Sequence, residues 1–220
     1  MCFIILKTYH DLLKIYGKQG WWPLTESNGY HPGNYGFPKT PNQSFEICIG
    51  TILTQNTNWK SVEVAISNLN RLQSLTPASL LALETSPLKE AIRPTGYFNQ
   101  KSLYLQTFAD FFLALKEQIP SRDELLALRG IGEETADSML LYAFKQPFFI
   151  VDSYTRRIFS DLGIVEMKER YNSIQKKFHA VMEPEFSGFK RVQVYQEYHA
   201  LIVQHAKLHF SGKRLKLLPR

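Results

Sequence analysis

The sequence predicts an all-α protein, and three observations carry that fold class. Apolar residues recur at helical spacing through most of the 220 residues. Helix start and stop signals punctuate the chain at short intervals. Almost nothing alternates as a half-buried strand does, the apolar run Phe148–Val151 being the one candidate. The length suits one compact body, or two small lobes sharing a core.

Each element follows from local signals. Residues 2–16 form an amphipathic stretch that ends at Gly17. Residues 17–42 then carry five Gly, four Pro and five aromatics (Trp21, Trp22, Tyr30, Tyr35, Phe37), a composition too aromatic for a disordered linker. A buried helix is expected over Ser44–Asn56 and a second over 59–74. Thr76-Pro77 reads as N-cap plus N1 proline, and Ser86-Pro87 as the same signal for a short helix. A long helix follows the Gly96 turn over 98–118, with Pro120 beyond its end. Ser121-x-x-Glu124 is a capping box, Gly130-Ile131-Gly132 interrupts, and 133–145 resumes as helix. Further helices are expected near 153–162, 168–182 and 190–209.

Composition narrows the function classes. A hydrophobic content of 44% is ordinary for a globular chain, and no apolar run approaches the roughly 20 residues of a membrane span. The opening MCFIILK is too short an apolar core for a signal peptide, so a cytoplasmic protein with no membrane partner is expected. Two cysteines, Cys2 and Cys48, cannot by themselves hold a zinc ion or an iron–sulfur cluster, which take about four ligands. Net charge is +6, and from Tyr198 onward Lys207, Lys213, Arg214, Lys216 and Arg220 stand without an acid among them. Such a block suits a polyanion, or is simply a solvated basic tail.

The segment 121–145 is the most informative. One helix ends at Leu128, the link is Arg129-Gly130-Ile131-Gly132, and a second helix begins at once. Glycines on both sides of Ile131 permit positive φ and close backbone approach, while Ile131 plugs the space between the helices. Amide N–H groups at the second helix start then form an anion site for one DNA phosphate, which fixes register without reading sequence. The plainer alternative is an αα-turn whose glycines only cap a helix. The longer pattern L-x-G-I-G-x-x-T-A-D resembles the helix-hairpin-helix motif.

Twenty residues beyond Gly132, Phe148-Phe149-Ile150-Val151 leads into Asp152, and a basic helix with Arg156 and Arg157 follows. Asp152 could cap that helix. It could also stand at the mouth of a cleft, where a carboxylate stabilises an oxocarbenium-like sugar and orients or deprotonates the attacking water. Both roles are compatible.

Hairpin plus downstream Val151-Asp152 resembles the signature of the endonuclease III superfamily of helix-hairpin-helix base-excision DNA glycosylases, over most of the chain. Ser44–Thr57 is similar to that family's first barrel helix and following loop, where the Gln matching Gln55 enters the duplex and fills the gap left by a flipped nucleotide. Gly96-Tyr97-Phe98-Asn99-Gln100-Lys101 is similar to a family helix start. The resemblance implies two lobes: a helical barrel over 37–146, and a second lobe of 1–36 with 147–220, the active site lying between them. It also implies double-stranded DNA with damaged bases as partner, one monomer per lesion, and DNA contacts from Gln55, Asn56, Arg129, Gly130, Ile131, Gly132, Thr135 and Arg156.

Two departures refine the expectation. Bifunctional members place a Schiff-base lysine two residues after the second hairpin glycine; here that residue is Glu134, and neither Lys101 nor Lys145 matches the position. Glu134 either favours the helix dipole or touches the target base. Many relatives carry four C-terminal cysteines for an iron–sulfur cluster, and here none occurs there. His205 and His209, at i and i+4, could bind a metal but lack a third ligand nearby, so a helix surface is expected. No cofactor is expected, with room left for a monovalent cation at the hairpin.

The group that the sequence resembles most is the bacterial 3-methyladenine DNA glycosylases of the endonuclease III type. That implies a monofunctional enzyme with Asp152 as its catalytic residue. A cationic alkylated purine stacks well on electron-rich rings, so Trp21, Trp22, Pro23 and Phe45 are candidate pocket walls, with Glu134 and Lys213 beside them. Phe45, at the start of a buried helix, could equally be core. The alternatives are a uracil or thymine mismatch glycosylase, a bifunctional lyase, and a non-catalytic DNA-binding hairpin protein.

Overall fold

The computed structural model describes residues 2–26, 29–211 and 214–215. The chain divides into two compact units. A middle unit comprises Trp22–Gly29 and Gly36–Phe144; a terminal unit comprises Met1–Trp21, Tyr30–Tyr35 and Lys145–Arg220. The loop after the first helix therefore contributes to both. Trp22–Gly29 goes with the middle unit because Trp22 and Leu24 are buried there, against an expectation that grouped all of 1–36 with the termini.

The middle unit holds α2 (Pro41–Thr54), α3 (Trp59–Arg71), α4 (Pro77–Ala82), α5 (Thr85–Ile92), α6 (Phe98–Ala114), α7 (Arg122–Leu126) and α8 (Glu133–Ser138). α8 runs on as a π-helical segment, Met139–Ala143. The Thr76 and Ser121 caps form as the sequence predicts, each a reciprocal capping box. Ser86 caps nothing: α5 starts at Thr85, and its N-cap Glu84 makes no side-chain bond. α6 stops four residues early because Lys116 and Glu117 take positive φ, 48° and 67°. α2 is the axis of the core, with Phe45, Ile47, Cys48, Ile49, Ile52 and Leu53 all buried. It packs against α3, α6, α8 and the π segment, and α4 and α5 close against α6 and α3.

The terminal unit holds α1 (Cys2–Tyr16), α9 (Ser153–Asp161), α10 (Tyr171–Met182) and α11 (Gly188–His209), with a two-residue antiparallel pair, β1 (Phe210–Ser211) and β2 (Arg214–Leu215). α11 is its spine, packed on α1 and α9. Phe149 stacks on Phe178 at 4.1 Å, and Phe159, Tyr195 and Tyr198 complete an aromatic core. The run 148–151 forms neither helix nor strand. Its backbone groups are met by α10 side chains instead: Phe149 N–H donates to His179 Nε2, Val151 N–H to Tyr171 Oη, and Phe149 O accepts from Gln175 Nε2. Among the described residues no helix is long and apolar enough to cross a membrane.

Candidate active site

In the middle unit the hairpin is built on one glycine rather than two. Gly130 has φ +88°, and a Cβ there would stand 2.5 Å from the Tyr104 ring, so both conformation and space demand glycine. Gly132, by contrast, has φ −97° with nothing within 4 Å of a built Cβ. Its lack of a side chain therefore answers no need inside the described chain. Ile131 is buried at 6% exposure, the plug that the sequence predicts. Arg122 clamps the pair of helices through a bidentate bridge to fully buried Asp137, at 2.7 and 3.2 Å. α8 begins at Gly132 with no side-chain cap, and Arg129, Gly132 and Glu134 are exposed beside it. Leu128 O accepts from Ile131 N–H and Gly130 O from Gln55 Nε2. Each carbonyl keeps a lone pair, the donor chemistry that a monovalent cation takes.

Gln55 is tied to this hairpin. Its Nε2 donates to Gly130 O at 2.9 Å and to Thr135 Oγ1 at 3.1 Å. Asn56 next to it is exposed on left-handed backbone, φ 53°. Lys101 supports the same corner from within: its buried Nζ donates to Leu53 O and Thr95 O, and burial lowers its pKa to about 8. It is thus a capping group for the end of α2. Tyr97, also left-handed at φ 48°, is 64% exposed and presents an aromatic face that the sequence reading did not single out.

Of the expected pocket walls, Phe45 is not one. It is fully buried, stacked on Phe108 and edge-on to Phe112 in the core of the middle unit. Its place beside Trp22 and Pro23 is taken by Trp59. A cleft of about 320 Å³ is lined by Trp22, Pro23 and Trp59, with the carboxylates of Glu46 and Glu63 among its other walls. Trp22 meets Trp59 edge-on at 5.3 Å and also packs on Tyr142. Gly50 lets Trp22 lie against α2, since a Cβ there would be 3.1 Å from its Nε1. Glu46 accepts from Thr25 N–H and Oγ1, both at 2.8 Å, and burial raises its pKa. Glu63 accepts from Trp59 Nε1. Nothing in the spacing of the sequence marks Trp59 or Glu46, because they lie on two different helices that only packing brings to one cleft.

In the terminal unit Asp152 is the N-cap of α9: Oδ1 accepts from Thr155 N–H at 2.7 Å. The residue is 6% exposed, and its other oxygen, Oδ2, faces His199 Nε2 at 3.7 Å. His199 comes from α11 and is also buried; burial lowers its pKa, Asp152 opposes that shift, and Lys207 adds to it. Trp21 meets the His199 ring edge-on at 5.8 Å, and Lys207 Nζ lies 5.5 Å from the Trp21 ring centre. The loop bearing Trp21 is pinned by buried Glu197, which accepts from Gln19 N–H at 2.8 Å and Tyr35 Oη at 3.1 Å. Gly20 permits this crossing, since a Cβ there would lie 2.2 Å from Pro32 N. Arg156 spends one guanidinium N–H on Glu169 O, so part of this expected DNA contact belongs to the fold. Lys213 lies outside the described residues.

His205 and His209 share one partner, Tyr16 Oη, at 2.8 and 3.0 Å. Burial and the neighbouring His209 lower the His205 pKa to about 4. Among the described residues no group of three or more His, Cys, Asp or Glu side chains could hold a metal.

The part of the chain that matches a known family spans both the hairpin and Asp152. The model of the HhH-GPD superfamily of base excision DNA repair proteins matches residues 49–184. A provisionally named DNA repair glycosylase of Methanocaldococcus jannaschii is 38% identical, covering 96% of this chain and 91% of its own. Endonuclease III of Sulfolobus acidocaldarius is 34% identical over 61% of this chain and 63% of its own. Among solved structures, H. pylori 3-methyladenine DNA glycosylase bound to 1,N6-ethenoadenine superposes with a TM-score of 0.75 at 27% identity, covering 96% of this chain and 99% of that one. An endonuclease III–DNA covalent intermediate superposes with a TM-score of 0.74 at 17% identity, covering 98% and 91%, a likeness of fold.

Proposed function

The chain belongs to the HhH-GPD superfamily of base excision DNA repair proteins, and we propose that it is a monofunctional DNA glycosylase that hydrolyses the N-glycosidic bond of alkylated purines such as 3-methyladenine. DNA glycosylase action is what the family and its glycosylase relatives carry. The finer reading rests on a buried carboxylate at 152 and, in the sequence, on a carboxylate rather than an amine at 134. Asp152 Oδ1 accepts the Thr155 N–H, and the negative charge of a carboxylate stabilises an oxocarbenium-like sugar. Glu134 cannot form a Schiff base, and Lys101 is committed to carbonyls of the core.

Substrate class follows from charge. A 3-alkylated adenine bears a positive charge and leaves as a neutral base, so one carboxylate suffices without a general acid. The cleft of Trp22, Pro23 and Trp59, with Glu46 and Glu63 in its walls, offers π-faces and negative charge, which suit a cationic ring. The likeness to the H. pylori 3-methyladenine DNA glycosylase supports the same class. In this reading Gln55, with Asn56 next to it, fills the gap left by the flipped nucleotide, and the N–H groups at the start of α8 hold a phosphate, Arg129 lying just before them on the chain.

Incubation with methylated duplex DNA, followed by chromatography of the free bases, tests the substrate. Release of 3-methyladenine is expected; release of pyrimidines alone would overturn the assignment. Borohydride treatment on abasic DNA is expected to trap no covalent adduct, and an adduct would show lyase chemistry.

A further inference from the structure

We propose that His199 is the proton-accepting partner of Asp152, taking up the proton that hydrolysis of a cationic base leaves behind. The inference rests on the reading of Asp152 given above and deepens it. With Oδ1 fixed by the Thr155 N–H, Oδ2 is the carboxylate oxygen that faces the imidazole, 3.7 Å from Nε2. That is just beyond a direct hydrogen bond. Both groups are buried, at 6% and 7% exposure, and Trp21 covers the imidazole edge-on.

Charge balance supplies the reason for such a partner. When a base with a fixed positive charge departs, the electron pair of the C1′–N bond neutralises it, so it carries away no proton. The attacking water forms the new C1′–O bond and must lose one. That proton passes to Asp152 Oδ2, and from there to the imidazole of a neutral His199, which restores the carboxylate. An imidazole ordinarily holds a proton more tightly than a carboxylate does, and the Asp152 charge works against the lowering that burial imposes on His199. The imidazolium then releases the proton to solvent. A neutral base differs: its departing nitrogen takes a proton itself, and no surplus arises.

His199 acts through Asp152 and is therefore a positioning residue in this scheme. The groups that act on its titration are Asp152 at the start of α9 and Lys207 two turns along α11, with the uncharged Trp21 ring against it. Burial keeps it neutral, and so ready to accept, at neutral pH.

The test is single-turnover excision by the full chain and its His199→Gln variant, on methylated DNA releasing 3-methyladenine and on a duplex bearing the uncharged 1,N6-ethenoadenine. Expected is a fall of about tenfold or more on the cationic base, with the uncharged base and DNA affinity within twofold of wild type. The wild-type rate on 3-methyladenine should also fall as pH drops below the ordinary imidazole range, because protonated His199 accepts nothing. That acid limb should vanish in His199→Gln. This profile decides alone if the uncharged base is not turned over. Equal losses on both bases, no loss on either, or an unchanged acid limb would overturn the relay. Asp152→Asn separates the two claims: if it excises normally, the reading of Asp152 fails and the relay with it. If it is inactive while His199→Gln behaves as wild type, the relay alone fails.

Discussion

Two helix starts in this molecule answer the same physical problem in opposite ways. Every α-helix leaves its first N–H groups without internal partners. At the start of α9 the chain supplies its own answer, the Asp152 carboxylate on the Thr155 N–H, and buries it. At the start of α8 it supplies none: the N-cap is exposed Gly132, without a side chain to turn back. The difference teaches how one element type serves two ends. A capped start fixes a side chain to within one rotamer, which suits a carboxylate that must be aimed. A start without a side-chain cap is the arrangement that the proposed phosphate contact uses.

The largest effect expected breaks the first half of that comparison. Asp152→Asn keeps the cap, because Asn and Asp rank alike at that position, so stability should change by no more than about 0.5 kcal/mol in denaturant titrations. Excision should nonetheless fall by about 10³-fold in single-turnover assays, through loss of the charge alone. Gly130→Ala and Gly132→Ala sharpen the second half. The former meets Tyr104 at 2.5 Å with φ +88°, and is expected to lose about 2 kcal/mol of stability. The latter meets nothing, and should melt like wild type while binding duplex DNA several-fold more weakly, as judged by fluorescence anisotropy. A Gly132→Ala protein that binds normally would remove the phosphate role from this start.

Smaller still is the expected effect of Gln55→Ala. It removes two hydrogen bonds to the hairpin, and urea denaturation should register a loss of about 1 kcal/mol. The mildest prediction concerns acid. His205 has a folded pKa of about 4 against about 6.5 when unfolded, so the unfolded chain binds the extra proton between those values. Its contribution is present above about 6.5 and lost as pH falls toward 4, which should lower Tm across that window. His205→Gln should flatten the slope, and an unchanged slope would assign the acid sensitivity to other groups.

Much of the fold was legible because its signals are local. The Thr76 and Ser121 caps, the stop at Gly17 and the Ile131 plug depend on a few adjacent residues, and each appears where spacing puts it. Misreadings fell where tertiary partners compete. Phe148–Val151 has strand composition, yet His179, Tyr171 and Gln175 take backbone groups of Phe149 and Val151, and among the described residues no strand pairs with the run. Phe45 has the right residue type for a pocket wall, but helix phase turns it onto Phe108 and Phe112.

By itself, then, the sequence determined a mainly helical chain, a hairpin turn marked by Gly130-Ile131-Gly132, and an aspartate placed where it can cap a helix. These are consequences of backbone sterics and of donors that must be satisfied within a turn. Only the tertiary structure decided which aromatic stands beside Trp22, and that His199, forty-seven residues downstream of Asp152, faces its free oxygen. Such pairings depend on the rotational phase of whole helices packed in a core, a quantity that no short stretch of residues encodes.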